Sequence, residues 1–385
     1  MYYFTVKLPT SCHQMTLEEL FSGKINHVPL NKDETATRTY ETTAISSRHI
    51  ANTRIDANAL IRNLKQFNET YKDLREKDRE SLYNEFYIPK KSGGLRKIDA
   101  PNNELKRALY DLKNMFEEDF ASDGRTALYH TSAFAYIKHR STIEAVKRHQ
   151  SNESRWFAKY DLSNFFGSTT PDFMLNMLSM IFPFCLITEN EEGKKELSEA
   201  LELCFLNGGL PQGTPISPLL TNVMMIPIDY RLSNSLRSFE DTKFVYTRYA
   251  DDFLVSSKYN FDFRKIEKYI TDILSEFNAP FTIKSQKTRY GSSAGSNWNL
   301  GIMLNKDNKL SIGHKKKKQF IAMISSYVMD KINGRNWDKN DVQVLEGYRN
   351  YYRMIEKDNI DKLIEHIGEK FKLNIISLIK ADLAA

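Results

Sequence analysis

Cysteine is nearly missing from this chain: three residues, Cys12, Cys185 and Cys204, lie so far apart that no CxxC pair occurs. That excludes a disulfide framework and a cysteine-bound zinc, and it fits a reducing compartment with the three thiols in the core. Long apolar runs are missing as well. No stretch approaches the roughly 18 apolar residues of a membrane span, and the N-terminal MYYFTVKLPTSCHQM lacks a basic segment followed by an apolar one. The expectation is a soluble, cytoplasmic protein with no membrane partner. Internal repeats and low-complexity linkers are absent. So is a strong charge excess: 55 Lys and Arg against 49 Asp and Glu leave a net charge of +6, which admits a polyanionic partner without demanding one.

What is present is 385 residues, enough for a substantial core divided among roughly two or three subdomains around one cleft. Thr16 and Glu19 form a capping box ahead of Leu20 and Phe21. Leu60, Ile61, Leu64, Phe67, Tyr71 and Leu74 recur at helical spacing, which predicts an amphipathic helix. EFYIPKKSGGLRKIDAPNNELKRALYDL reads as two β-runs around a turn with Lys90, Lys91, Gly93 and Gly94, closed by Pro101 and followed by a helix from Glu104. Helices are expected at Ser141–His149, from Pro171, at Glu191–Leu206, at Leu219–Leu232 and at Phe261–Phe277. Short strands are expected around Phe281 and Leu300, then the basic run HKKKK and two final amphipathic helices. NGGLPQGTPISP is dense enough in Gly and Pro to force a loop.

The chemistry concentrates in acidic residues. KFVYTRYADDFLVSS splits two β-prone runs with Asp251 and Asp252, and RWFAKYDLSNFFGS ends a strand at Asp161. An Asp-Asp pair in a turn is by itself usually a solvated loop. A third carboxylate at a neighbouring strand end changes the reading, because three converging carboxylates repel one another unless cations bind. Hard oxygen donors of this kind suit Mg²⁺, and two such ions activate a 3′-hydroxyl and stabilise a pyrophosphate leaving group.

YADD at Tyr249–Asp252 resembles the signature hairpin of reverse transcriptases, KYDLSNFFGS the first catalytic palm strand, GGLPQGTPISPLLTN the template- and nucleotide-positioning segment, and IPKKSGGLRKIDAPNNELK the first fingers motif of group II intron, retron and related bacterial enzymes. The four stand in the family's order. The resemblance implies an α+β right-hand polymerase with fingers, a palm of small antiparallel sheet backed by helices, and a helical thumb. Its boundaries would be an N-terminal, mostly helical extension at 1–70, fingers at 71–155 with part of 175–210, palm at 156–305 and thumb at 306–385.

It also implies roles. Asp161 and Asp251 bridge two Mg²⁺ ions, with Mn²⁺ the alternative metal; Asp252 supports them and the Leu162 carbonyl completes one coordination sphere. Phe166 matches the steric gate against a ribose 2′-hydroxyl, beside the alternative of a core aromatic next to Phe165. Gln212 and Gly213 match the loop against the incoming nucleotide. Arg96, with Lys90 or Lys91 and Lys97, neutralises the triphosphate. Lys287 matches a general acid for pyrophosphate, with Lys284 close enough to compete for that role. NLGIML around Leu300 and Gly301 resembles the primer grip. Lys315–Lys318 would meet nucleic-acid phosphates or form a solvated face. LEGYRNYYRMIEKDNIDKL resembles a thumb segment, in which Tyr348, Tyr351 and Tyr352 with Arg349 and Arg353 either line a nucleic-acid groove or pack on a neighbouring helix.

The partners implied are an RNA template, its DNA product, deoxynucleoside triphosphates and a dedicated structured noncoding RNA. Asn299-Leu300-Gly301 stands where retron enzymes carry Val-Thr-Gly, and Gln212, Gly213, Ser217 and Pro218 disfavour the diversity-generating class. Free-standing, defence-associated bacterial enzymes are the favoured group. The competing readings are an RNA-dependent RNA polymerase or template-independent nucleotidyl transferase on the same palm, and a polymerase-derived RNA-binding scaffold.

Overall fold

The computed structural model describes residues 57–90, 93–121, 129–239, 243–293 and 300–384. The expectations for residues 1–56, including the capping box and Cys12, and for Lys91 and Asn299 lie outside the described residues. The chain divides into two compact units. One holds residues up to Ser141 with Ala158–Val255 and Phe261–Thr288; the other holds Thr142–Phe157, Ser256–Asn260 and the chain from Arg289 on.

In the first unit, helix Ala57–Thr70 buries Leu60, Ile61, Leu64 and Phe67 along one face. Each such side chain contributes about 1.5–3 kcal/mol when withdrawn from water. Its neighbour is helix Glu191–Glu202, to which Asn68 Nδ2 is bonded through the Glu196 carbonyl at 2.9 Å and carboxylate at 2.7 Å. The basic hairpin forms as expected. β1 (Tyr83–Pro89) pairs antiparallel with β2 (Leu95–Pro101), and the turn closes through Lys90 N to Gly94 O at 2.9 Å. Helix Asn103–Ala121 follows, with Asn102 Oδ1 accepting from Leu105 N.

β3 (Trp156–Asp161), β4 (Val245–Tyr249) and β5 (Asp252–Ser257) pair in the order β4-β5-β3, and the short β6 (Arg289–Ser292) belongs to the second unit. Phe157, Ala158 and Tyr160 of β3 are fully buried. The single helix expected over Leu219–Leu232 is two, Ser217–Met224 and Ile226–Arg237. Pro227 explains the break: it has no N–H to continue a ladder and fits the first turn of a new helix. The strands expected around Phe281 and Leu300 are displaced. Ile283 forms an isolated bridge to Leu162, and Leu300 sits in a turn at φ +54° ahead of β7 (Met303–Leu304).

In the second unit, β7 pairs with β8 (Leu310–Ser311), and the C-terminal region holds three helices rather than two: His314–Ile332, Lys339–Phe371 and Ile375–Ala384. The long helix kinks at Glu356 (φ −137°, ψ 59°). The buried Glu356 carboxylate accepts from Ile312 N at 2.5 Å, Ser311 Oγ at 3.0 Å and Lys317 Nζ at 2.6 Å, bonds that reward leaving helical geometry there. Among the described residues no helix is long and apolar enough to cross a membrane.

Each unit also buries a histidine. His130 lies edge-on to Tyr230 at 4.4 Å, and His149 Nδ1 is 2.5 Å from Ser256 Oγ. Burial pushes their pKa values down, to about 4 for His130 and about 3 for His149. Both lie below the ordinary value of about 6.5, so the unfolded chain takes up these protons first. The stability they confer is whole above pH 6.5 and drains as the pH falls towards 4 and 3, with His130 accounting for roughly 3 kcal/mol. NMR titration of the imidazoles should find both neutral at pH 5; a ring titrating near 6.5 would contradict its burial.

Candidate active site

β3 ends at Asp161, and on either side of that end the chain presents another functional segment. Leu162 N donates to Asp251 O at 3.1 Å, and Lys284 N donates to Asp161 O at 2.8 Å. The turn joining β4 to β5 is two residues long, Ala250 and Asp251, so Asp252 opens β5 and Asp251 crowns the hairpin. Asp161, Leu162, Asp251 and Asp252 are thus brought together by main-chain pairing.

Their electrostatics carry the strain of that convergence. The carboxyl pKa of Asp251 is raised, first by burial and then by the charges of Asp252 and Asp161. That of Asp252 is raised by burial, against the pull of Lys159, whose ammonium lies 2.8 Å from its Oδ2. Asp161 Oδ1 faces two ammonium groups, Lys284 at 2.9 Å and Lys287 at 3.5 Å, and Lys284 Nζ also donates to the Leu162 carbonyl at 3.1 Å. Among the described residues no three His, Cys, Asp or Glu side chains are arranged to hold an ion as they stand; Asp161 and Asp252 face lysines instead. The donor set nevertheless fits a divalent ion: hard carboxylate oxygens with one main-chain carbonyl, two of which already share a cation.

Beneath the turn lies a feature that the motif reading missed. Arg248 and Asp229 are both fully buried, with Arg248 Nη2 2.7 Å from Asp229 Oδ2 and Tyr246 Oη donating to Asp229 Oδ1 at 2.8 Å. Arg248 Nη1 donates to the Ala250 carbonyl and to Asn222 Oδ1, each at 3.2 Å, and Asn222 Nδ2 donates to the Ala135 carbonyl at 2.7 Å. Ala250 has φ +57°, an uncommon value for a residue with a Cβ. The same network fixes the loop carrying Tyr136, whose phenol pKa is raised by burial first and then by Asp251. The available signal was an aspartate inside the otherwise apolar start of a helix, IPIDYRL, and an arginine within a β-run.

Towards the basic hairpin, Asp99 N donates to Gln212 O at 2.8 Å, which ties the Gly/Pro loop to β2. Gly213 has φ +132°, and a Cβ there would sit 2.7 Å from the Asp99 carbonyl, so no other residue fits without displacement. Thr214 Oγ1 accepts from Ser217 N at 3.2 Å and starts the following helix. Arg96 is exposed on β2 and makes no ion pair among the described residues, whereas Lys97, also exposed, is paired with Glu85 at 2.6 Å and Asp99 at 3.1 Å. Lys90 is exposed at the hairpin turn. Phe166 is partly exposed and edge-on to the buried Phe165 at 5.7 Å; its carbonyl accepts from Leu210 N at 3.0 Å.

In the second unit, Lys317 is held by Glu356 and Lys316 bonds the Gly301 carbonyl, so Lys315 and Lys318 are the outward members of the lysine run. Tyr352 is buried against Phe320, Arg349 and Arg353 pair with Glu346 and Asp361, and Tyr348 and Tyr351 are exposed.

Asp229→Ala leaves the Arg248 charge buried and unpaired, and should cost about 3–5 kcal/mol in urea unfolding. Asp251→Asn should act in the opposite direction. A raised folded pKa contributes stability only below the unfolded pKa, and that contribution is lost as the pH rises through the folded value, so ionised Asp251 opposes folding at neutral pH. The Asp251→Asn protein, measured with chelator, should melt at a higher temperature than the parent; an unchanged or lower Tm would contradict the like-charge account.

Residues 88–323, more than half of the chain, match the family described as reverse transcriptase (RNA-dependent DNA polymerase). Similar curated proteins include the Retron Ec83 reverse transcriptase of Escherichia coli, 26% identical over 74% of this chain and 87% of that one, and the Retron Ec73 reverse transcriptase of the same organism, 27% identical over the same shares. The Retron Mx65 reverse transcriptase of Myxococcus xanthus is 24% identical over 76% of this chain and 66% of its own length. Among solved structures, telomerase from Candida albicans in complex with a fragment of telomeric RNA aligns at a TM-score of 0.43 and 11% identity, over 77% of this chain and 56% of that one, a likeness too loose to bear on function. On the family match, the chain belongs to the reverse transcriptases and is an RNA-directed DNA polymerase.

Proposed function

We propose that the chain adds deoxynucleotides to a primer 3′-hydroxyl by two-metal-ion catalysis at Asp161, Asp251 and Asp252. Its template, on this reading, is a dedicated structured noncoding RNA, as in a retron or phage-defence system. The observation that carries the catalytic part is the convergence of the three carboxylates with the Leu162 carbonyl at the end of β3. Asp161, Asp251 and Leu162 O would hold the ions, Mg²⁺ or Mn²⁺, with Asp252 in support. Bound there, such ions lower the pKa of the attacking hydroxyl and stabilise charge on the leaving pyrophosphate.

The chain's own residues do the rest. Arg96, with Lys90 at the hairpin turn, clamps the triphosphate; a guanidinium offers phosphate a bidentate fork. The Gln212–Gly213 loop lies against the nucleotide on the support of β2. Phe166 excludes the 2′-hydroxyl, and Lys287, with a largely exposed side chain, delivers a proton to pyrophosphate. We assign fingers to 71–155 with part of 175–210, palm to 156–305 and thumb to 306–385, with 1–70 bracing the fingers or holding RNA. The retron relatives support the template half of the reading, although Asn299 and Leu300 depart from the Val-Thr-Gly signature and only its glycine is kept, at Gly301.

Primer extension on a primed RNA template separates this reading from untemplated transfer and from a scaffold role. Product should follow the template sequence, require Mg²⁺ or Mn²⁺, and vanish in Asp161→Asn. In Phe166→Ala, discrimination against ribonucleotides should fall by roughly 10–200-fold, the range for one pocket contact. Extension that ignores the template, or discrimination unchanged in the variant, would overturn the corresponding part. Sequencing nucleic acid copurified from the native host should recover one defined RNA joined to complementary DNA; a heterogeneous RNA population would remove the dedicated template.

A further inference from the structure

Lys284 occupies an unusual position for a lysine beside a catalytic carboxylate. Its main chain is fixed opposite β3: Lys284 N donates to Asp161 O at 2.8 Å, and the preceding Ile283 bridges Leu162. From that anchor the side chain folds back so that Nζ lies 2.9 Å from Asp161 Oδ1 and 3.1 Å from the Leu162 carbonyl. Those two oxygens belong to the set proposed above to hold a divalent ion. The other two lysines differ. Lys287 reaches Asp161 Oδ1 only at 3.5 Å, and Lys159 holds Asp252 at 2.8 Å from the neighbouring strand. Of the three, Lys284 alone is bonded to both the carboxylate and the main-chain carbonyl.

An ammonium and a divalent ion cannot share the same pair of oxygens. We infer that Lys284 is a tethered competitor for the ion: it neutralises Asp161 while the site is unloaded and must swing away for an ion to bind. The flexible four-carbon stem permits the movement, and about a third of the side-chain surface is open to solvent. The device lets the carboxylates fold next to one another without an ion, and it sets a threshold of ion concentration below which the site stays closed by its own lysine. The inference rests on the assignment of Asp161 and Leu162 as ion ligands.

The test is a Mn²⁺ titration of the full chain, freed of metal and without nucleic acid or nucleotide, followed by the electron paramagnetic resonance signal of unbound Mn²⁺. Lys284→Met should bind Mn²⁺ about tenfold more tightly than the parent, the equivalent of removing one charge-assisted hydrogen bond that the ion must otherwise break. Its melting temperature in chelator should fall below the parent's and rise more steeply with added Mn²⁺. Lys284→Arg, which keeps a cation on the same tether, should stay within about threefold of the parent. Lys284→Gln repeats the test if the methionine variant folds poorly. Affinity unchanged or weakened in both neutral variants overturns the inference, as does an arginine variant as tight as the methionine one. Asp161→Asn separates the two levels: if it binds Mn²⁺ like the parent, the ligand assignment itself fails; if it loses Mn²⁺ while Lys284→Met gains nothing, the assignment stands and the competitor role falls.

Discussion

Arg248 and Asp229 lose all contact with water, and the geometry of the first unit's site depends on how they repay that loss. Removing two charges from solvent costs several kcal/mol each, and their mutual attraction recovers it only when every remaining hydrogen-bonding group is satisfied. Here the satisfying partners are the functional segments themselves: the Ala250 carbonyl in the acidic turn, Asn222 on the helix after the Gly/Pro loop, and through Asn222 the Ala135 carbonyl. An apolar pair of the same volume would pack, but it would leave that turn carbonyl without its donor. The network's value therefore lies in orientation more than in net stability, since it holds Ala250 at an unfavourable φ and so aims Asp251.

Above the network, the aspartates are arranged against their own electrostatic preference. Asp251 and Asp252 are raised in pKa by burial with like charges nearby, and three lysines, Lys159, Lys284 and Lys287, stand against the group. Stability gained elsewhere in the unit, from the buried helix faces and β3, offsets this local cost. Such a balance is expected where a site must accept strongly charged partners that arrive only during the reaction.

The elements legible in the sequence were those whose signal is local. The basic hairpin announced itself by its turn residues, the acidic hairpin by β-prone runs around two aspartates, and helix Ala57–Thr70 by its apolar period. What escaped was set by contacts between distant residues. Nothing near Arg248 says that its partner is Asp229, nor does the pattern around Glu356 reveal that Ile312, Ser311 and Lys317 pull the long helix out of line. The carboxylate partners of Lys97 and Lys317, across a strand pair and between helices, are likewise set by residues distant in sequence. Lys284 and Lys287 were indistinguishable by spacing, and both proved to face Asp161. The family itself was legible because its motifs combine short, local turn chemistry in a fixed order, and the match across residues 88–323 bears that reading out.

The central claim, that divalent ions bind where β3 meets the acidic turn, is tested most directly by letting an ion mark its own position. Iron(II) in place of magnesium, with ascorbate and peroxide, generates radicals that cut the main chain within a few ångströms of the bound ion. The account predicts cuts gathered at residues 161–162 and 250–252, suppressed by excess Mg²⁺ and lost in the Asp161→Asn, Asp251→Asn double variant. Cuts that fall elsewhere in the chain, or that persist unchanged in that variant, would contradict it.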